Sequence, residues 1–246
     1  MPKVLAINGS PRMEKGHTAL VLGHFLEGIK EEGASVEIIY TKKLKIKPCI
    51  GDFQCWHDKI GVCIQKDDMQ ALYKKLKNTE ILVIGSPIYL PLPGELQNLF
   101  NRIIPLYEPI LEFRDGRTRL KFHDDVKIFK IVLVGTGGWW EVENLDLVVG
   151  IVKHIATDAG VEFGGAVLRP HAQIMRENKD KAKEVIAALR RAGQLCVKGG
   201  NISSDVLSAI SQPLISEPEL RARQNQWYLK AKQEQSITGY RRLFSR

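Results

Sequence analysis

The chain has 246 residues, 44% of them hydrophobic, which predicts one domain with appendages rather than two domains. No apolar run approaches the ~20 residues of a membrane-spanning helix, and no basic-then-apolar segment opens the sequence, so we expect a cytoplasmic protein without a membrane partner. The net charge is +8, but residues 221–246 hold seven basic residues against one acidic residue. Because the rest of the chain is near neutral, nucleic acid is not the expected partner.

Strand-like runs alternate with helical patterns along the chain. The strand-like runs are 3–7, 35–40, 81–85, 126–134 and 161–168, and the helical patterns are 17–31, 67–78, 94–104, 142–159 and 178–197. This alternation predicts a mostly parallel sheet with helices on both faces. We therefore expect an α/β fold, a flavodoxin-like doubly wound sheet of five parallel strands in the order 2-1-3-4-5. Its ligand crevice lies at the carboxyl ends of the first and third strands.

The first strand-like run ends in a polar turn, residues 8–12 (N-G-S-P-R), ahead of the first helical pattern. A strand that leads through a loop into a helix directs backbone N–H groups and the positive helix end at the loop. Ser10 and Thr18 add hydroxyl groups, and Arg12 adds a planar cation. The turn is a phosphate site or an ordinary capped turn, and it matches neither the dinucleotide-binding nor the P-loop glycine pattern.

Two more turns are expected at the same edge of the sheet. The third strand-like run leads into residues 86–94, where three prolines stiffen a ledge that carries Tyr89, and such a ledge suits a flat aromatic ligand. The fourth ends in the glycine-rich turn 135–140 (G-T-G-G-W-W), which offers N–H donors. The alternative is that each is a surface turn, with Tyr89 or Trp139 in the core. Three such turns at one edge favour a shared ligand site.

Together, the N-G-S-P-R loop with Thr18, the G-S-P-I-Y segment at 85–89 and the G-T-G-G-W turn at 135–139 resemble the NADPH-dependent FMN reductase family. The nearest subgroup is the iron–sulfur flavoproteins and their cluster-free relatives, and the resemblance spans residues 3 to about 197. It implies an FMN phosphate held by the first turn, although His17 stands where the family often has asparagine. The ring would rest on the ledge, with backbone donors of the third turn at its polar edge. The implied cofactor-binding residues are Ser10, Arg12, His17, Thr18, Pro87, Ile88, Tyr89, Thr136, Gly137, Gly138 and Trp139.

The resemblance implies an NAD(P)H-dependent FMN reductase-like oxidoreductase. It would accept hydride from NADPH or NADH and pass electrons to a flavin, a quinone or another small acceptor. The flavin carries the chemistry, so no catalytic side chain is predicted. The alternative is an electron-carrier flavoprotein, with or without an iron–sulfur cluster, that receives electrons from a protein donor such as ferredoxin. A basic nucleic-acid-binding module is the third interpretation.

Three of the four cysteines lie within fifteen positions and, with one aspartate, read C-x2-D-x2-C-x7-C ahead of D-D-M at 67–69. The candidate ligands are Cys49, Asp52, Cys55 and Cys63, with His57 as an alternative donor for zinc. Family members with a cluster carry four cysteines in a compact run. Here Asp52 stands in the place of one of these cysteines, and its carboxylate is a harder ligand than a thiolate. A cluster-free loop with reduced thiols, an iron–sulfur cluster and a zinc site all remain open.

Residues 105–124 interrupt the step from helix to strand, and alternation around Asp115-Gly116 predicts a hairpin. We expect this hairpin to reach over a flavin, either its own or that of a neighbouring subunit. Its three arginines would then meet the phosphates of NADPH, or alternatively they solvate an exposed edge. These arginines are Arg114, Arg117 and Arg119.

The predicted domains are a flavodoxin-like FMN-binding domain over residues 1–200 and a helical tail over 201–246. Within the tail, 217–235 can form a helix that presents Leu220, Trp227 and Tyr228 toward one side. Such a stripe needs a partner surface. We expect the tail either to dock on its own domain or to strap together a homodimer or homotetramer.

Overall fold

The main sheet of the computed structural model, which describes residues 1–199 and 201–233, has five strands. The strands of the chain are β1 (Lys3–Asn8), β2 (Ser35–Tyr40), β3 (Ile81–Pro87), β4 (Glu112–Arg114), β5 (Arg117–Arg119), β6 (Lys130–Thr136) and β7 (Glu162–Arg169). In the sheet they follow the order β2-β1-β3-β6-β7, and each neighbouring pair is parallel. Because β4 and β5 form a separate pair, this is the predicted order 2-1-3-4-5, and the flavodoxin-like prediction is confirmed.

The helices lie between these strands at nearly the predicted positions. They are α1 (His17–Glu31), α2 (Gln54–His57), α3 (Met69–Lys77), α4 (Gly94–Asn101), α5 (Asp146–Ala159), α6 (Ile174–Glu177), α7 (Lys179–Val197), α8 (Ser204–Ser211) and α9 (Glu217–Gln233). The short helices α2, α6 and α8 were not predicted individually, since each is too brief to give a clear 3.6-residue pattern.

The strands β3 and β6 are buried along nearly their whole length, as central strands of a parallel sheet are. Leu72 of α3, Leu96 of α4 and Val152 of α5 belong to one buried cluster with apolar side chains of β1, β3 and β6. This cluster fixes the position of the strands whose carboxyl ends form the site described below.

Helix α1 packs closely against α7, and two glycines permit the contact. A Cβ atom on Gly28 would lie 1.9 Å from the backbone oxygen of Arg190, and one on Gly193 would lie 2.0 Å from that of Phe25. No side chain fits at either distance, so the two helix backbones touch directly. The carboxyl-terminal half of α1 is thereby held against α7.

The fourth parallel strand begins later than predicted. Residues 126–129, expected as strand, instead bond outside the ladder: the amide of Lys127 donates to the carbonyl of Lys77, and that of Phe129 to Glu80. The strand then continues through Thr136, so two residues assigned to the glycine-rich turn are strand. The predicted interval 126–134 is therefore corrected to 130–136.

The hairpin prediction is confirmed, with β4 antiparallel to β5. Asp115 and Gly116, with φ values of 54° and 71°, form its turn. Two successive positive φ values are what a two-residue hairpin turn requires, and Asp-Gly suits them.

The described chain divides into two compact units, one of residues Met1–Gln212 and one that begins at Pro213. The second unit contains α9, which starts at the predicted residue, whereas the predicted end at Gln235 lies outside the described residues. Trp227 and Tyr228 on this helix are more than half exposed. Within residues 1–199 and 201–233, no helix is long and apolar enough to cross a bilayer.

Candidate functional site

An open cleft with about 450 Å³ of empty space lies where β1, β3 and β6 end. The residues that line it are Ser10, Arg12, Gly16, His17, Thr18, Pro87, Ile88, Tyr89, Thr136, Gly137, Gly138, Ala172 and Gln173. The predicted cofactor-binding residues are all in this set except Trp139, whose side chain is 71% exposed. Their role as ligands of a cofactor stays a prediction.

One end of the cleft is the amino terminus of α1. Gly16 occupies the N-cap position, no side chain caps the helix, and its first turn carries no acidic residue. The first N–H groups of a helix lack partners within the helix, and the helix dipole adds partial positive charge there. This end of the cleft is therefore suited to an anion.

The loop before α1 brings a hydroxyl group to the same place. The amide of Ser10 donates to Oδ1 of Asn8 at 2.9 Å, and Oγ of Ser10 accepts from the amide of Arg12 at 3.3 Å. A Cβ atom on Gly16 would lie 2.6 Å from that Oγ, so the serine hydroxyl lies directly against the helix start. The loop thus forms a cradle that a larger residue at Gly16 would fill.

Two arginines surround His17 at this end. Burial lowers the pKa of His17, and the charges of Arg176 and Arg12 lower it further. Nη2 of Arg176 donates to the backbone oxygen of Gly16 at 3.2 Å. Within the described residues, neither arginine forms an ion pair with a carboxylate. The region therefore carries uncompensated positive charge.

The first and third walls of the cleft are joined by a hydrogen bond between two hydroxyl groups. Oγ1 of Thr18 lies 2.7 Å from Oγ1 of Thr136, and both side chains are buried. Because one hydroxyl belongs to the first turn of α1 and the other to the last residue of β6, this bond sets the distance between those elements.

The second wall is the ledge after β3. The amide of Ile88 donates to the backbone oxygen of Thr136 at 2.9 Å, and that of Tyr89 donates to Pro91 at 2.7 Å. Tyr89 is 51% exposed, so the alternative that it is a core aromatic is wrong. The ledge therefore presents an apolar surface and an accessible aromatic ring to the cleft.

The third wall is the turn after β6, which the segment 169–173 holds in place. The amide of Gly137 donates to the backbone oxygen of Arg169 at 3.1 Å, and Nε2 of Gln173 donates to that of Gly138 at 2.9 Å. The Gly137 donor is thus already used, contrary to its predicted role. In the described part of the chain, the amides of Gly138 and Trp139 have no hydrogen-bond partner.

A buried arginine anchors this segment. Nη1 of Arg169 donates to the backbone oxygens of Ile210 and Gln212 at 2.6 and 2.8 Å, and Nη2 lies 2.6 Å from Nε2 of His171. Burial lowers the pKa of Arg169 to about 10. Burial, with the neighbouring arginine charge, also lowers the pKa of His171 to about 4, so the imidazole is neutral at pH 7 and accepts from the guanidinium.

Sequence reasoning missed the contributions of Ala172, Gln173 and Arg176 to this region. The residues after β7 contain neither a glycine cluster nor a recognised phosphate motif. A usable signal was Arg169-Pro170, because a charged residue where a strand ends must find partners at the edge of the sheet.

The four candidate metal ligands do not form a ready site. Cys49 is exposed, Cys55 and Cys63 are half-buried, and all are free thiols. Burial, followed by the neighbouring Cys63, raises the pKa of Cys55, which disfavours the thiolate that binds metals. Among residues 1–199 and 201–233, no three histidine, cysteine, aspartate or glutamate side chains are arranged to hold a metal ion. The role of these side chains as metal ligands stays a prediction.

A buried ion pair holds the cysteine segment instead. Nη1 of Arg102 donates to Oδ2 of Asp67 at 2.8 Å and to the backbone oxygen of Lys47 at 2.6 Å. Nη2 donates to Sγ of Cys63 at 3.4 Å. Both partners of the ion pair are almost completely buried. A guanidinium group thus ties both ends of the segment to α4.

The hairpin arginines do not act as one group. Nη2 of Arg114 donates to the backbone oxygens of Leu120, Thr157 and Asp158 at 2.8, 3.1 and 3.0 Å. Since two of these carbonyls end α5, the guanidinium caps that helix, and the expectation that it meets NADPH is corrected. Arg117 is exposed, and its predicted contact with NADPH stays a prediction.

Residues 2–118 match the model of a family described as NADPH-dependent FMN reductase. The chain is similar to that family over this segment, which is just under half of its length. The predicted resemblance is thereby confirmed for the part of the chain that holds the first loop and the ledge. The third wall, the segment after β7 and Arg176 lie beyond the family segment.

Individual proteins resemble the chain in sequence or in fold. An iron–sulfur flavoprotein of Methanocaldococcus jannaschii is 37% identical over 105 residues, which are 42% of this chain and 53% of that protein. The chain spans about half the length of the curated relatives it matches.

Two solved structures share the fold at low identity. An NAD(P)H:quinone oxidoreductase from Methanothermobacter marburgensis aligns with a TM-score of 0.54 at 18% identity, covering 79% of this chain and 96% of that one. An FMN-dependent NADH-azoreductase from Bacillus anthracis, in complex with FMN, aligns with a TM-score of 0.53 at 16% identity, covering 78% and 98%.

Proposed function

We propose that the chain binds FMN non-covalently in the cleft and acts as an NAD(P)H-dependent oxidoreductase. The observation that carries this proposal is the uncapped start of α1, with unpaired positive charge, beside an apolar ledge with an accessible tyrosine. A phosphate suits the first feature and a flat aromatic ring the second. The family of residues 2–118 and the description of the Bacillus anthracis azoreductase support the same cofactor.

The residues of the cleft would divide the work of binding. Ser10, Arg12 and the amides at the start of α1 would hold the phosphate. The negative charge of the phosphate would raise the pKa of His17. Pro87, Ile88 and Tyr89 would support the ring, while the amides of Gly138 and Trp139 offer donors to a polar ring edge. When bound, FMN accepts hydride from NADPH or NADH and passes electrons to a flavin, a quinone or another small acceptor.

Binding and reduction can be tested separately. Apoprotein titrated with FMN should show saturable heat and quenching of flavin fluorescence, and the complex should lose its visible flavin bands when NADPH is added without oxygen. Alternating hydride donor and acceptor at one ring should also give ping-pong steady-state kinetics. Absence of FMN binding would contradict the proposal.

A second candidate is an electron-carrier flavoprotein with a protein donor such as ferredoxin. The curated relatives named iron–sulfur flavoproteins favour it. In that case the bound flavin would be reduced slowly by NADPH and rapidly by reduced ferredoxin. An iron assay on the same sample would test for a cluster independently. Assembly as a homodimer or homotetramer is proposed for either candidate and would be measured by sedimentation.

A further inference from the structure

Arg176 reaches the start of α1 from the far side of the sequence. It belongs to the short helix α6, yet its Nη2 atom donates to the backbone oxygen of Gly16, which lies 160 positions earlier. Gly16 is the N-cap residue of α1 and lines the cleft. The guanidinium therefore lies at the N-cap residue of α1, next to the cleft.

Most of this guanidinium remains unused by the protein. A guanidinium has five N–H donors in a planar fork, and the contact with Gly16 occupies one of them. For comparison, two other arginines of the first unit have carboxylate partners: Arg102 pairs with Asp67, and Arg190 pairs with Glu27. Within the described residues, Arg176 has no such partner and its side chain is exposed. A structural role would require more contacts than the structure gives it.

The surrounding charge adds to the same argument. Arg176 acts electrostatically on His17, a residue that lines the cleft, and Arg12 acts on it from the loop before α1. Two arginine side chains and a helix amino terminus thus converge without an acidic residue in the first turn of α1. Like charges brought together repel one another, and an anion with two negative charges removes that cost.

We infer that Arg176 binds the phosphate group of the cleft's ligand and makes the site selective for a phosphate monoester over the same ligand without phosphate. The inference rests on the proposed FMN site. Two features carry it: the position of the guanidinium at Gly16 and its unused donors. The residue lies outside the family segment 2–118, so the phosphate site is completed by the other half of the chain.

FMN and riboflavin provide the direct test, because they differ by the phosphate group. Arg176→Gln should raise the dissociation constant for FMN about tenfold or more and leave that for riboflavin unchanged. Arg176→Lys keeps the charge but loses the planar fork of donors. Its dissociation constant for FMN should therefore lie between those of Arg176→Gln and wild type. Arg191→Gln is the matched control, since it removes the same charge from an exposed position on α7.

A second measurement does not depend on flavin. Inorganic phosphate should shift the NMR signals of the His17 ring saturably in apoprotein, and Arg176→Gln should weaken that binding, whereas Arg191→Gln should not. Thermal unfolding of each variant verifies that it is folded.

The outcomes separate the two proposals. If wild type binds phosphate through Arg176 but does not bind FMN, the proposed function fails and the phosphate site stands. If Arg176→Gln binds FMN as tightly as wild type, or loses FMN and riboflavin equally, the role of Arg176 is overturned. If wild type binds neither phosphate nor FMN, both the proposed function and the role of Arg176 are overturned.

Discussion

A methyl group at Gly16 would occupy the space in which the Ser10 hydroxyl lies, 2.6 Å away. The φ of Gly16 is −72°, so alanine is tolerated by the backbone and the effect is confined to the cradle. We expect Gly16→Ala to weaken FMN binding several-fold in a calorimetric titration. Gly23→Ala in α1 meets no atom within 4 Å, so it should leave binding unchanged and stabilise the fold by about 0.5–1 kcal/mol. Equal affinities for FMN in the two variants would contradict the cradle.

His171 gives the fold a specific sensitivity to acid. Its pKa is about 4 in the folded protein, against about 6.5 in an unfolded chain, so the unfolded state binds the proton first. Its contribution to stability is complete above pH 6.5 and declines as the pH falls toward 4, by about 3 kcal/mol. Denaturant unfolding at pH 7 and pH 4.5 would measure this effect. Between the two pH values, His171→Gln should lose less free energy of unfolding than wild type. The exposed His154→Gln should behave as wild type.

At the scale of elements, the hairpin and α5 are coupled by one side chain. Arg114 donates from β4 to the last carbonyls of α5, and a cationic donor to such groups typically contributes about 1.5–3 kcal/mol. Arg114→Ala should therefore lower the free energy of unfolding by about that amount in urea. Arg117→Ala on the exposed edge should leave the free energy of unfolding unchanged. If the hairpin contacts NADPH, this substitution should raise the Michaelis constant for NADPH. A stable Arg114→Ala variant would show that α5 is capped by other groups.

The elements of the sheet could be predicted because their apolar runs and turn residues agree. Ile81–Ile84 is continuous and ends in a proline-rich loop, and Asp115-Gly116 suits the positive φ values of a hairpin. The positions of Arg176 and Gln173 could not be predicted from the sequence, since they depend on how α6 is placed beside α1 and the turn after β6. Arg114 was misread for a similar reason: the sequence shows its charge but not the carbonyls of α5 that bind it.

For the whole molecule, the boundary at Gln212 leads to a truncation test. The cleft is lined by residues of the first unit, and its anchor Arg169 bonds to carbonyls up to Gln212. We propose that a chain ending at Gln212 retains FMN affinity, while the tail serves docking or oligomerisation. Titration calorimetry and sedimentation of the full and shortened chains would measure both properties. Loss of FMN binding with a native circular dichroism spectrum would place part of the site's support in the tail.

The cleft combines residues that are far apart in the sequence, from Ser10 to Gln173. During translation the amino-terminal part emerges first and begins to fold before the remainder is made. A nascent chain that has reached only the hairpin would carry the loop and the ledge but not the wall formed by Thr136 and Gly138. If the proposed FMN site is correct, cofactor loading would therefore wait until most of the first unit has left the ribosome. Pulse-labelled ribosome-bound chains of increasing length would then retain flavin only late in synthesis.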